Sequence, residues 1–151
     1  MVEVRTEVSA SPQQIFAVLA DGWSYASWVV GASHIREVDS SWPQVGAQIH
    51  HRVGPWPLTI DDTTTVRAVD PPHSLELDAG LWPFGAAWIR LDLIEIAPGR
   101  TEIRMAEQAV RGPGRWLPGP AEGVLLAPRN KEALARLADI AVGKKQPSAR
   151  S

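Results

Sequence analysis

The sequence has no cysteine, one tyrosine and two phenylalanines. Without thiols there are no disulfides, no thiolate nucleophile, no zinc ribbon and no iron–sulfur ligation. Lys plus Arg number 15 against 17 for Asp plus Glu, a net charge of −2. That balance lacks the basic excess a phosphate backbone would demand, so no nucleic acid partner is expected. No stretch reaches the roughly 18 uninterrupted apolar residues of a spanning helix. Met1-Val2-Glu3-Val4-Arg5 alternates instead of giving a basic start and an apolar run. Lys144-Lys145 is too short for a membrane-binding basic patch. A soluble cytoplasmic protein with no stable membrane insertion is therefore expected, as monomer or homodimer. His50 and His51 are adjacent, so on a strand they face opposite ways and cannot share a metal. No His-x-His, HExxH or carboxylate cage accompanies them, and neither metal nor cofactor is expected. Gly112-Pro113-Gly114 lacks the phosphate-loop context, and Ser9, Ser11 and Ser27 lack that of a nucleophile elbow.

What is present is 151 residues, 44% of them hydrophobic, enough for one domain with a buried core. Residues 1–142 read as that domain and 143–151 as a flexible tail. Val2, Val4, Thr6 and Val8 alternate with charged residues, the period of a half-buried strand. Ser11-Pro12-Gln13-Gln14 offers a hydroxyl cap, a proline at the first helical position and a capping-box glutamine, so a short helix begins at Pro12. A second apolar turn runs from Tyr25 to Val30. From Ser33 to Val110 a meander of six antiparallel strands is predicted: His34–Ser40, Gln48–Val53, Leu58–Val69, Ser74–Ala79, Ala86–Ala97 and Thr101–Val110. Trp42-Pro43, Asp70-Pro71-Pro72 and Pro98-Gly99 are among the turns that punctuate it. A long helix closes the chain. Pro128 admits only a start or a kink, and Leu134, Leu137, Ala138, Ile140 and Ala141 carry the apolar stripe from Arg129 to Val142. Leu125 and Leu126 form an earlier turn of the same element, and Gly143 ends it.

This order is α+β, with the helix segregated to one face of the sheet. It resembles the helix-grip fold of the Bet v 1-like, START-like superfamily, especially the bacterial SRPBCC members called polyketide cyclase/dehydrase proteins. The residues carrying the resemblance run from Val8-Ser9-Ala10-Ser11-Pro12 and Tyr25-Ala26-Ser27-Trp28-Val29-Val30-Gly31, through Gly54-Pro55-Trp56-Pro57-Leu58, Val69-Asp70-Pro71-Pro72 and Gly99-Arg100-Thr101. Gly112-Pro113-Gly114 and Arg129-Asn130 with Leu134 to Ala141 complete it. The resemblance implies a curved seven-stranded antiparallel sheet wrapped around the C-terminal helix, two short helices after the first strand, and a deep, mostly apolar cavity between sheet and helix.

Seven tryptophans supply large apolar area with one N–H donor each, which suits a greasy wall that must orient a ligand. Trp28, Trp56, Trp82 and Trp88 are the candidates for that wall. If the hairpin centres on Trp56-Pro57, opposed residue numbers sum to 113, which sets His51 against Asp62 and Ile49 against Thr64. The parity shared with Ile49, Ile60 and Val66 turns His51, Asp62 and Thr64 inward. A His and a carboxylate so placed can orient a tautomer or share a proton, as general base catalysis or polar recognition requires. In the last strand Glu107 shares a face with Ile103, Met105 and Ala109, where it acts as an acid or base or pairs with an inward Arg. Asn130 stands one helical turn before Leu134 on the inward stripe.

The reading favoured by these residues is a non-catalytic binding protein for a hydrophobic or aromatic small molecule such as a lipid, isoprenoid or polyketide-like compound. The resemblance also implies an alternative, an aromatase/cyclase-like enzyme that enolises, cyclises and dehydrates a polyketide chain, with His51, Asp62 and Glu107 as acid/base candidates. Against it, no inward Tyr or Arg of the kind some cyclases use is evident, the one tyrosine lying in a short helix. A third reading is an interaction module with a vestigial pocket and exposed Trp-Pro loops.

Overall fold

The computed structural model describes residues 1–30, 32–53, 57, 60–80, 85–111 and 119–145. In chain order these form β1 (Val2–Val8), α1 (Pro12–Ala20), a single-turn helix (Gly22–Ser24), α2 (Tyr25–Trp28), β2 (Ala32–Val38), β3 (Gln48–Val53), β4 (Ile60–Asp70), β5 (Ser74–Gly80), β6 (Ala86–Ala97), β7 (Arg100–Arg111) and α3 (Gly119–Lys145).

Local chemistry sets the first elements. In β1, Val2, Val4 and Val8 are buried while Glu3, Arg5 and Glu7 are exposed. α1 starts where predicted: the Gln14 N–H donates to Ser11 Oγ at 3.2 Å and the Ser11 N–H donates to Gln14 Oε1 at 2.8 Å. This reciprocal pair satisfies two of the helix's orphan donors. Trp42, expected in a loop, donates its ring N–H to the Leu19 carbonyl at 3.0 Å and so ties the turn before β3 to the end of α1.

The seven strands make one antiparallel sheet in the order β1-β7-β6-β5-β4-β3-β2. Apart from β1, each strand lies beside its neighbour in sequence, as short connections favour. The tightest is Pro98-Gly99 between β6 and β7, where Gly99 has φ 70°, a left-handed conformation that glycine adopts at no steric cost. α3 packs against β1 and β7 and is flanked by α1 and α2. Ile49, Val66, Leu77, Leu91 and Ile103 from the sheet's inner face share one buried cluster with Ala133, Leu134, Leu137 and Ala141 of α3. Each large side chain so buried contributes about 1.5–3 kcal/mol. This is the expected helix-grip arrangement: an open curved sheet around a long C-terminal helix.

Several boundaries differ. β2 runs from Ala32 to Val38 instead of from His34 to Ser40, α2 ends at Trp28 instead of Val30, and the predicted start of β4 at Leu58 lies outside the described residues. α3 is continuous from Gly119 to Lys145, with Pro128 inside it. Pro128 is exposed, and the helix tolerates the loss of one N–H. Gly143 does not end the helix, which covers the first three residues of the predicted tail; residues 146–151 lie outside the described set.

Candidate functional site

The inner face of β3 and β4 carries polar side chains among apolar ones. The register is the one read from the hairpin symmetry: Ile49 opposes Thr64 and His51 opposes Asp62. His51 and Thr64 are both fully buried. His51 does not share a proton with Asp62, as the sequence suggested. Its Nε2 lies 2.8 Å from Thr64 Oγ1, which in turn lies 2.9 Å from the hydroxyl of Tyr25. The Tyr25 ring stacks on the imidazole with centroids 5.5 Å apart. Asp62 is engaged elsewhere, its Oδ1 accepting from the Thr63 N–H at 2.8 Å. Its carboxyl lies against the backbone of β5 at Gly80, where a Cβ would fall 2.0–2.2 Å from the carboxylate atoms. Glycine at that point is what lets the carboxylate lie there.

Thr64 has one proton to give, so the chain runs in one direction. With Tyr25 donating to Thr64 and Thr64 to Nε2, the imidazole proton sits on Nδ1, which is buried and unpartnered among the described residues. The reverse direction would strand both the Tyr25 proton and the Nδ1 lone pair. The first leaves fewer buried groups unmet, and is the cheaper arrangement. Burial pushes the His51 pKa below its ordinary 6.5; the Asp62 charge opposes that shift and His50 adds to it. Burial likewise pushes the Tyr25 hydroxyl up to about 12, against the hydrogen bond it shares with Thr64. At neutral pH both side chains are uncharged.

The second polar group joins β7 to α3. Glu107 is fully buried on the inner face, as its parity predicted, and Arg129 Nη2 donates to its two carboxylate oxygens at 2.5 and 2.6 Å. The arginine side chain keeps 24% exposure. The charge that Glu107 would bring to acid–base work is thus engaged by a guanidinium. Asn130, 1% exposed, presents Oδ1 to Arg129 Nη2 at 3.5 Å, and its Nδ2 has no partner among the described residues. Trp28, Ile89, Met105, Arg129, Asn130 and Ala133 line a cavity of about 10 Å³. That is room for roughly one water, against roughly 300–1,000 Å³ in small-molecule sites. A wider, open groove of about 610 Å³, bordered by Pro12, His73, Asp92 and Arg104, holds none of the predicted site residues.

The predicted residues therefore divide. Trp28, Met105, Glu107 and Asn130 come together near α3; Ile49, His51 and Thr64 lie together on the β3–β4 pair; Leu134 is a core residue of α3. Ile60 has inward parity but stands at the start of β4 and is 44% exposed. Trp88 is a correction: it lies on the opposite face of β6 from Ile89, Leu91 and Leu93, and its ring N–H donates to Glu76 Oε1 at 2.9 Å. Trp56 and Trp82 lie outside the described residues. Tyr25 and Arg129 were missed. Tyr25 and Trp28 are three apart on α2 and both buried, and Arg129 falls one turn before buried Ala133 and two before Leu137. That spacing was the available signal. No group of three or more metal-ligating side chains occurs among the described residues.

Among solved structures, a Rhodobacter sphaeroides protein is 23% identical with a TM-score of 0.68, the alignment covering 93% of this chain and 91% of that one. A START superfamily protein from Mycobacterium smegmatis is 16% identical with a TM-score of 0.67, over 94% and 97% of the two chains. The Zhui aromatase/cyclase from a Streptomyces species is also 16% identical with a TM-score of 0.67, over 98% and 96%. At these identities the likeness establishes the fold alone. No curated protein matches the chain. The sequence does match, over residues 1–142, the family described as polyketide cyclase / dehydrase and lipid transport. With that match spanning all but the end of a helix-grip domain, the chain belongs to the polyketide cyclase/dehydrase and lipid transport family.

Proposed function

We propose that this protein binds a hydrophobic or aromatic small molecule, such as a lipid, isoprenoid or polyketide-like compound, between α3 and the inner face of the sheet. The observation that carries this reading is the pair of buried polar atoms, His51 Nδ1 and Asn130 Nδ2, that have no partner among the described residues. Each such group costs about 1–3 kcal/mol, and a ligand that meets it recovers the loss. Around Asn130 the cavity wall is apolar at Trp28, Ile89 and Met105 and polar at Arg129. A cavity of about 10 Å³ is too small for such a guest, so binding involves displacement of α2 or of the adjoining part of α3. The reading places the protein in the cytoplasm as a monomer or homodimer, and the net charge of −2 argues against nucleic acid as a partner.

An aromatase/cyclase-like enzyme is the second reading, favoured by the Tyr25–Thr64–His51 chain. In the cheaper proton arrangement His51 would polarise a carbonyl through Nδ1–H. The base that enolisation also needs is harder to find, since Arg129 engages Glu107 and the Thr63 N–H engages Asp62. Non-catalytic binding is therefore preferred. The test is native mass spectrometry of protein taken from its host's lysate, with extraction and identification of what it retains. A recurrent hydrophobic mass supports carriage, and a pair of masses one water apart supports the cyclase. Empty protein, with no thermal shift across a panel of aromatic and lipid probes, overturns both.

A further inference from the structure

The unmet polar groups of the interior define the chemistry of what would fill it. Asn130 lies on α3 beside Arg129, and the two possible settings of its amide are not equivalent. Turning Nδ2 toward the guanidinium would oppose two donors, so Oδ1 faces Arg129, at 3.5 Å, and the NH₂ group has two protons and no acceptor among the described residues. Asn130 lines the cavity beside Trp28 and is 1% exposed, so bulk water does not reach it, and the single water that the cavity has room for is what a ligand's acceptor would displace. His51 Nδ1, in the cheaper arrangement of its chain, is likewise a buried donor without an acceptor among the described residues. Both are uncharged donors. The charges nearby are already spent, because Glu107 and Arg129 neutralise one another through two short hydrogen bonds. A carboxylate or phosphate seeking Arg129 would have to strip Glu107 from it and leave that carboxylate buried alone. An ammonium seeking Glu107 would have to strip away Arg129.

From this we propose that the interior site selects uncharged ligands that present an acceptor oxygen, a carbonyl above all, to the Asn130 amide, and discriminates against acids, amines and plain hydrocarbons of the same shape. The inference rests on the ligand-binding reading above and adds the polarity of the ligand to it. Asn130 is thus a specificity-determining residue.

The experiment compares four probes of one skeleton on the full chain: acetylnaphthalene, ethylnaphthalene, naphthoate and naphthylethylammonium, with affinities from quenching of tryptophan fluorescence. Acetylnaphthalene is expected to bind at least about tenfold more tightly than ethylnaphthalene, the scale of one hydrogen bond to a buried donor, and the two ions more weakly than either. The infrared stretch of an isotope-labelled carbonyl should move to lower frequency on binding. In Asn130→Leu, close to isosteric, the advantage of the ketone over ethylnaphthalene and the frequency shift should both vanish. Equal binding of ketone and hydrocarbon to the wild type, or preference for naphthoate, overturns the proposal while leaving a ligand site in place. Failure of all four, ethylnaphthalene included, overturns the ligand-binding reading and this inference with it. Should Asn130→Leu not fold, the ranking and the infrared shift in the wild type decide.

Discussion

The chain has one tyrosine, so its ultraviolet tyrosinate signal reports Tyr25 alone. The hydroxyl is buried against Thr64, and loss of its proton would place a charge in a low-dielectric interior that already holds Glu107. Its pKa rises from the ordinary 10.0 to about 12. Each unit is worth about 1.4 kcal/mol, so the shift corresponds to roughly 3 kcal/mol. Because the folded pKa lies above the unfolded one, that stability is fully present below pH 10.0 and is lost as the pH climbs toward about 12. Spectrophotometric titration of native protein should give a midpoint near the upper value, or an ionisation coupled to unfolding, and titration in denaturant should give the ordinary one. Tyr25→Phe should cost about 1 kcal/mol at neutral pH, for the hydrogen bond to Thr64. The variant should also lose the part of the alkaline decline that belongs to tyrosine. A native midpoint at the ordinary tyrosine value would refute the burial of this hydroxyl and the chain of hydrogen bonds built on it.

Other perturbations address the remaining groups. Arg129→Met leaves the fully buried Glu107 without its cation and should destabilise by about 3–5 kcal/mol. Adding Glu107→Gln should recover part of the loss in urea denaturation, and strict additivity would disprove the pairing. Asp62→Asn removes the charge that raises the His51 pKa, so the His51 midpoint seen by NMR should fall further. The folded pKa already lies below the unfolded 6.5, so the stability His51 contributes is whole above that pH and declines on acidification. In Asp62→Asn the decline continues to lower pH. Leu137→Ala, at a fully buried position of α3, should cost about 2–5 kcal/mol in denaturant melts. Val124→Ala, on the same helix but 75% exposed, should change stability by less than about 0.5 kcal/mol.

Sheet positions were legible where alternation and turn chemistry agreed. The opposition of His51 to Asp62 and the inward parity of Glu107 follow from a period of two, and both are present. Trp88 failed because its size was weighed above its parity: Ile89, Leu91 and Leu93 already claimed the inner face of β6. What those inward side chains bond to was not legible. Glu107 meets an arginine 22 residues away on another element, and the imidazole turns from its strand neighbour Asp62 to Thr64 because Gly80 offers the carboxylate a resting place. Short-range pattern sees which face a residue takes and is blind to the reach of Arg129 or Tyr25 across the interior. Pro128 lies inside α3, as the reading of Leu125 and Leu126 as an earlier turn of the same element allowed, and a helix held along one side by Leu134, Leu137 and Ala141 outlasts one missing bond.

That missing bond divides α3 mechanically. Pro128 cannot donate to the carbonyl of Val124, so the turns on its N-terminal side are joined to the rest by a softened joint one residue ahead of Arg129. Beyond the joint the helix is riveted to the sheet by the fully buried Leu137 and Ala141; before it, Val124 is in solvent and Ala127 only partly covered. On the ligand-binding reading proposed above, opening next to Asn130 would draw on the stretch before the joint, and the stability of the domain on the stretch beyond it.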